Sequence, residues 1–340
     1  MLGPAFKADF DQLAATIEQF IQGNDRVVRL ALVCLLAEGH LLIEGPPGVA
    51  KTSLAKAIAE SIQDADVKRI QFTPDLLPAD VTGSRIYHQA SGEFPFEKGP
   101  VFTNVLIADE INRASPRTQS ALLEVMAERQ VTVDGKTHPV PDPFLCVATQ
   151  NPLEFRGTFP LPEAQIDRFM MKVTMSTPDR AAELEVLNGG LDRRTPRSAI
   201  EAAASQTGLG QVKAMIKQAG KVFVDDSVKD YVLDIVAATR PGPSNAAGRT
   251  EADIAMGVSP RAAIALALTA QAHAASVGRD YVAPDDVKEM AIPVLAHRLV
   301  LSPAAADRGL AAESVIAGLL KRIRVPSGGQ RTRTPAARGT

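Results

Sequence analysis

Five short runs rich in apolar residues recur in the first half of the chain: Leu41–Ile43, Val67–Phe72, Val105–Ala108, Phe144–Ala148 and Phe169–Val173. Their length predicts strands rather than helices. Apolar residues at helical spacing lie before and between them. Ala8 to Ile21 carries Phe10, Leu13, Ile17, Phe20 and Ile21 on one stripe, and Asp25–Ala37, Ser53–Ser61 and Ser115–Arg129 read as further helices. Strands alternating with helices predict a parallel sheet covered on both faces. Two stretches interrupt the alternation. Thr73 to Phe102 is too long for a plain connection and holds Phe94, Phe96 and Phe102. Gln130 to Pro139 alternates through Val131-Thr132-Val133 and then reads Asp134-Gly135, a strong hairpin turn signal.

After Pro178 the strand-like runs stop, and Ala, Leu, Val, Asp and Glu dominate. Asp225 or Asp226 caps a helix running to Thr239. Arg261 to Ala275 is a second helix, with Ile264 and Leu268 on one face. Pro284, followed by Asp285 and Asp286, starts a third, which Pro293 should break or kink near Ala291. Pro241 to Gly257 reads as a loop. The expected organisation is an N-terminal helix at 1–25, an α/β core at 26–178, an all-helical unit at 179–325 and a tail at 326–340.

The first strand ends in a loop with chemical content. Residues 41 to 53 read Leu-Leu-Ile-Glu-Gly-Pro-Pro-Gly-Val-Ala-Lys-Thr-Ser. A loop from Gly45 through Pro46, Pro47, Gly48, Val49 and Ala50, between a strand and a helix opened by Lys51, Thr52 and Ser53, is built to hold phosphate at a helix N-terminus. Lys51 would reach the β- and γ-phosphates of ATP, and the Thr52 hydroxyl would hold Mg2+. The strict pattern has Gly where this chain has Ala50. A second strand ends in Asp109 and Glu110. Asp109 suits the Mg2+ shell, and Glu110 suits polarisation of the attacking water. An ordinary strand with a solvated acidic turn would read the same, so the weight lies on the pairing of the two motifs in this order. Asn151, at the end of a later apolar run, could orient water or touch the γ-phosphate, although Asn-Pro is also a common turn. Arg168, just before the last strand, and Arg261, at a helix start, would each pass alone for surface arginines.

Composition changes the picture little. The chain has 340 residues, enough for two domains, and 45% of them are apolar. It has no apolar run of about 18 residues, so no transmembrane segment is expected. Met1 to Asp25 lacks a signal-peptide pattern, and Cys34 and Cys146 each sit in apolar surroundings, as free thiols of a reducing, cytoplasmic protein would. The five histidines show no zinc spacing. Net charge is −2, yet residues 321–340 carry six Lys or Arg and no acid, while the other 320 hold 31 basic and 39 acidic residues. An acidic body argues against dedicated nucleic-acid binding. The tail reads as unfolded, either simply solvated or a basic docking arm.

Six stretches in this order resemble the MoxR family of AAA+ ATPases, in its helix-2-insert branch: Glu-Gly-Pro-Pro-Gly-Val-Ala-Lys-Thr (44–52), Phe-Thr-Pro-Asp-Leu-Leu-Pro-Ala-Asp (72–80), Ala-Asp-Glu-Ile-Asn-Arg-Ala (108–114), Ala-Thr-Gln-Asn-Pro (148–152), Leu-Pro-Glu-Ala-Gln-Ile-Asp-Arg-Phe (161–169) and Val-Ser-Pro-Arg-Ala (258–262). The resemblance spans roughly residues 8 to 322, and Ala50 looks like the family's own variant of the loop. It implies an α/β AAA+ P-loop core with a parallel five-stranded sheet, a helix-2 insert at 73–102 and a pre-sensor β-hairpin near Asp134, followed by an all-α lid domain. Both inserted elements would face the pore of a ring, expected to be a hexamer. Asn151 would be sensor 1. Arg168 would be the arginine finger, acting on the neighbouring subunit's ATP. Arg261 would be sensor 2, closing with the lid over the phosphates. The function implied is an ATPase chaperone that remodels or matures a client protein, in some members for metal-cofactor insertion, with a partner carrying a von Willebrand factor A (VWA) domain. A chelatase subunit is a close relative of that reading. The rivals are a DNA-translocating motor, which the acidic body and Asp134 disfavour, and a nucleotide-gated switch without turnover, which Glu110 and Arg168 disfavour.

Overall fold

The computed structural model describes residues 3, 5–21, 23–90, 92–152, 157–177, 180, 183–184, 187, 207–240 and 253–326. The expected tail, from 327 onward, and most of the expected loop, 241–252, lie outside them. Two helices open the chain, α1 (Phe6–Glu18) and α2 (Asp25–Leu36), followed by β1 (Leu41–Glu44), α3 (Lys51–Glu60) and β2 (Val67–Gln71). Then come α4 (Pro78–Thr82), β3 (Gly83–Arg85), β4 (Phe96–Lys98), β5 (Val105–Asp109), α5 (Pro116–Glu128), β6 (Gln130–Val133), β7 (Lys136–Pro139), β8 (Leu145–Gln150), α6 (Glu163–Ile166) and β9 (Met171–Thr174). The second half holds α7 (Leu209–Ala219), α8 (Asp226–Ala238), β10 (Ile254–Met256), α9 (Pro260–Ser276), α10 (Pro284–Leu295), β11 (Val300–Leu301), α11 (Pro303–Asp307) and α12 (Ala312–Leu320).

The five expected strands form one parallel sheet in the order β2-β5-β8-β1-β9. Successive side chains of a strand point to opposite faces, and here each face has its own core. Leu41, Ile43, Val105, Ile107, Leu145 and Val147 pack with α1, α2, α3 and the helices of the second half. Leu42, Leu106, Ala108, Cys146 and Ala148 pack with Phe72, Val81 and the apolar stripe of α5, including Leu122 and Met126. β1, β5 and β8 are buried on both faces, which is why they read as near-continuous apolar runs, while the edge strand β2 is partly exposed. Cys34 and Cys146 are free and buried. Burial pushes the Cys34 thiol up to about 12 and raises that of Cys146 further.

Two small hairpins stand off the sheet. β6 and β7 turn through Asp134 (φ 49°) and Gly135 (φ 75°), the left-handed pair that a two-residue hairpin loop requires. β3 and β4 pair antiparallel within the 73–102 insert. Arg85 on the insert lies 3.1 Å from Asp134, and Phe96 stacks on His138 with ring centroids 4.6 Å apart, so the two hairpins lean on each other.

The second half is a helical lid with one addition. β10 and β11 form a short antiparallel ladder, so the lid is not helical throughout, and Ile254–Met256 lies inside the stretch expected to be loop. The α10 helix is not broken at Pro293: it runs on to Leu295. Proline there forfeits only its own N–H bond, while Pro293, Val294 and Leu295 are all buried, so packing carries the last turn. On α9, Ile264 and Leu268 do share a face, but it is the exposed one, and Ala262, Ala265, Leu266, Thr269 and Ala270 face the core. Asp286, fully buried at the start of α10, accepts from His273 Nδ1–H of α9 (2.7 Å), Arg279 Nη1–H (2.6 Å) and the Ala283 N–H (2.7 Å). Burial pushes that carboxyl up, and the hydrogen bonds from His273, Arg279 and Ala283 more than offset it, leaving it below the usual carboxylate range.

Candidate functional site

The loop from Gly45 to Ala50 leaves the C-terminal end of β1 and enters α3. A Cβ on Gly45 would lie 2.5 Å from the Met175 carbonyl, so the close approach of loop to sheet admits only glycine there. Gly48 has φ 86°, and open space lies on the side where a Cβ would stand. Ala50, where the strict pattern has glycine, is also left-handed (φ 63°), so this chain carries a Cβ in a conformation that costs about 1–2 kcal/mol. Lys51 and Thr52 sit in the first turn of α3. The Lys51 ammonium donates to the Gly45 carbonyl and to that of Pro46 (3.0 Å). Burial pushes its pKa down, opposed by the charges of Glu110 and Asp109.

Asp109 ends β5, which lies one strand removed from β1, with β8 between. Its carboxylate, 3% exposed, accepts from the Thr52 hydroxyl at 2.9 Å and from Thr149 Oγ1 at 2.7 Å. Glu110 follows in the left-handed region (φ 56°), with its N–H bonded to Thr149 Oγ1 at 3.0 Å. Asn151 follows β8 and so stands between the ends of β1 and β5, its carbonyl 3.4 Å from Asn112 Nδ2. Lys51, Thr52, Asp109, Glu110 and Asn151 are thus gathered at the C-terminal edge of the sheet.

These residues fit the groups expected of them. Thr52 and Asp109 place a hydroxyl and a carboxylate side by side, hard oxygen donors suited to Mg2+. Among the described residues no group of three or more His, Cys, Asp or Glu could hold a metal. Mg2+ at this edge would therefore draw its other ligands from water and phosphate, as it commonly does.

Two residues of the site were not expected. Arg69, on β2, donates to Asp109 Oδ2 through Nε (3.0 Å) and Nη2 (2.7 Å). Gln71, two residues on and on the same face, donates to Glu110 Oε2 at 2.8 Å. The available signal was polar residues at i and i+2, on one face of a strand that also carries Lys68.

The remaining two arginines lie elsewhere. Arg168 precedes β9, whose Met171 is level with Leu41, so it stands at the N-terminal edge of the sheet. Its Nη1–H donates to the Leu123 carbonyl of α5 at 2.6 Å. Arg261, at the start of α9, lines the same cavity of about 230 Å³, together with His40, Ile264, Leu268 and Arg298. In this arrangement the lid packs beside β9, and Arg261 stands with Arg168 at the N-terminal edge of the sheet rather than beside the P-loop of its own chain. Arg298 fixes this placement, its Nε–H donating to Asp167 at 2.6 Å, while the Ser259 hydroxyl donates to the same carboxylate at 3.1 Å. The Arg261 guanidinium makes no hydrogen bond or ion pair among the described residues.

Comparison with known proteins agrees with this geometry. Residues 40–171 match the model of the ATPase family associated with various cellular activities (AAA), and residues 246–317 match an AAA lid domain. The chain is 43% identical to chaperone MoxR1 of Mycobacterium tuberculosis, over 91% of this chain and 80% of that one. It is 33% identical to protein MoxR of Methylorubrum extorquens, over 88% and 91% respectively. A crystal structure of an inferred ATPase from Cytophaga hutchinsonii, 38% identical, superposes with a TM-score of 0.86 over 95% of this chain and 96% of that chain. P-loop, acidic strand end, inserted hairpins and helical lid, in this order and at these identities, mean that the chain belongs to the MoxR family of AAA+ ATPases.

Proposed function

We propose that this protein hydrolyses ATP at sites completed between two copies of the chain and uses the cycle to remodel a client protein. The observation that carries this is the separation of the two halves of the site. Lys51, Thr52, Asp109, Glu110 and Asn151 stand at the C-terminal edge of the sheet, Arg168 and Arg261 at the N-terminal edge. An isolated subunit thus has no arginine at its own P-loop positioned for the γ-phosphoryl group from the lid or from Arg168. A neighbour's Arg168 and Arg261 would supply both, and an arginine delivered in this way is worth roughly 10³–10⁵ in rate.

In this reading the loop backbone and Lys51 hold the phosphates. Mg2+, held at Thr52 and Asp109, would neutralise charge on the β- and γ-phosphates. Glu110 accepts a proton from the attacking water, and Asn151, between the two strand ends, orients that water. Glu110 is held by Gln71 and Arg113 in this structure and must turn from them to do so. Assembly into a ring, with six copies expected, a VWA-domain partner and client maturation, including metal-cofactor insertion, are supported by the family resemblance. The chaperone name of the mycobacterial relative points the same way.

A DNA-translocating motor is the second reading. Against it, Asp134 of the projecting hairpin is already paired with Arg85, which leaves Lys136 as the clear cation at that tip. The deciding experiment is steady-state ATP turnover as a function of protein concentration, with and without single-stranded DNA. Turnover per subunit that rises with concentration and ignores DNA supports a remodelling ATPase completed by assembly. Strong stimulation by DNA replaces it with the motor, and flat turnover removes the shared site.

A further inference from the structure

The Asp109 carboxylate is fully subscribed by protein donors. Oδ1 accepts from Thr149 and Thr52, and Oδ2 accepts from Thr52 and from both Nε and Nη2 of Arg69. A carboxylate 3% exposed needs a compensating charge, and Arg69 is the cation in direct contact with it. The same guanidinium donates to Gln71 Oε1 at 2.9 Å, and the Gln71 amide donates to Glu110. Two side chains of β2, Arg69 and Gln71, thus connect the two acids of the site through an unbroken line of hydrogen bonds. β2 is an edge strand, and the Arg69 side chain is half-exposed. It therefore has room to swing away.

We propose that Arg69 is a positioning residue that serves as an internal counter-cation, occupying Asp109 until Mg·ATP binds and so setting the Mg2+ concentration at which the site fills. The inference rests on the reading above that Thr52 and Asp109 hold Mg2+ beside bound ATP. Two cations cannot share Asp109 Oδ2 without strong repulsion, so entry of Mg2+ requires Arg69 to leave. Its departure removes the donor that orients Gln71, and the grip of Gln71 on Glu110 loosens with it. The acid that polarises water is then released only in a site that has taken up the ion. Because the Arg69 end of the pair is half-exposed, solvent screens it, and the scale expected of its contribution is about fivefold in an equilibrium constant.

The test is equilibrium binding of mant-ATP, followed by fluorescence, at a series of free Mg2+ concentrations with the full-length protein. Arg69→Met is expected to lower the half-saturating Mg2+ concentration about two- to fivefold. Arg69→Lys, which keeps the charge but loses the two-point contact, should fall between that variant and the wild type. Thermal melts of both variants report whether the fold is intact, and Arg69→Lys carries the test if Arg69→Met melts early. An unchanged or raised Mg2+ half-saturation in a folded variant overturns the counter-cation. Failure of the wild type to bind mant-ATP at any Mg2+ concentration instead overturns the Mg·ATP reading beneath it.

Discussion

The guanidinium of Arg298 lies 2.6 Å from the carboxylate of Asp167, the residue immediately before Arg168. The contact joins a buried lid residue to the core across 131 positions of chain, and Arg298 also donates to the carbonyls of Phe169 (2.7 Å) and Met170 (3.1 Å). It therefore fixes the lid, with Arg261, and the segment carrying Arg168 in one frame. Arg298→Met should leave the Asp167 charge and several carbonyls unsatisfied and cost roughly 3–5 kcal/mol, lowering the melting temperature by on the order of 10 °C. A drop within experimental error would show that the lid is held by its apolar contacts alone.

Arg168→Ala and Lys51→Ala damage opposite edges of the subunit. Each variant alone should show negligible turnover, with ATP binding surviving in Arg168→Ala and lost in Lys51→Ala. Mixed, they should recover activity, because a Lys51→Ala subunit can lend its Arg168 to an intact P-loop. Arg261→Ala should behave like Arg168→Ala in the same mixing assay. A mixture no more active than its components would place the arginines with their own subunit's nucleotide.

His40 precedes β1 and is buried between two backbone groups: its Nδ1 accepts the Cys146 N–H (3.0 Å) and its Nε2–H donates to the Met126 carbonyl (3.0 Å). Burial holds its pKa down at about 4, so the folded protein keeps it neutral. The unfolded chain takes up a proton near pH 6.5. Stability is therefore fully present above that pH and lost progressively as pH falls from 6.5 toward 4, by on the order of 3 kcal/mol. His297 is displaced in the same direction, chiefly by burial. In denaturant titrations from pH 7.5 to 5, His40→Gln should be less stable at neutral pH and show a shallower loss toward acid. A slope identical to wild type would assign the acid sensitivity to other groups.

Asp286→Asn keeps the shape of the α9–α10 staple but removes the charge facing Arg279 and His273. A loss of roughly 2–4 kcal/mol is expected. The staple is remote from the P-loop along the chain, so mant-ATP affinity below the melting transition should be unchanged; a fall in affinity would mean that the lid reaches its own nucleotide after all.

Residue types and spacing made much of this molecule readable in advance. Strands such as Val105–Asp109 are buried on both faces and announce themselves as unbroken apolar runs, and Asp134-Gly135 dictates its turn whatever surrounds it. Lys51, Thr52 and Asp109 were readable because the loop and the strand end fix them locally. Arg69 and Gln71 were not, since a half-exposed polar residue on an edge strand looks the same whether it meets solvent or an acid at the strand end beside it. The position of Arg261 was hidden for a different reason: it depends on which side of the sheet the lid packs, and that is settled by distant partners such as Asp167 and Arg298. The Ile254–Met256 ladder escaped because three residues carry too little periodicity to be told from loop.

If the site is shared between copies as proposed, the opposed edges of the sheet give each subunit a direction, with a socket at one end and a plug at the other. An open row of copies always has one socket left unfilled and one plug left idle, however long it grows. Only a row that closes on itself fills every socket. The economy of closure would then come from the polarity of a four-residue strand, β1, and would require no symmetric contact between subunits at all.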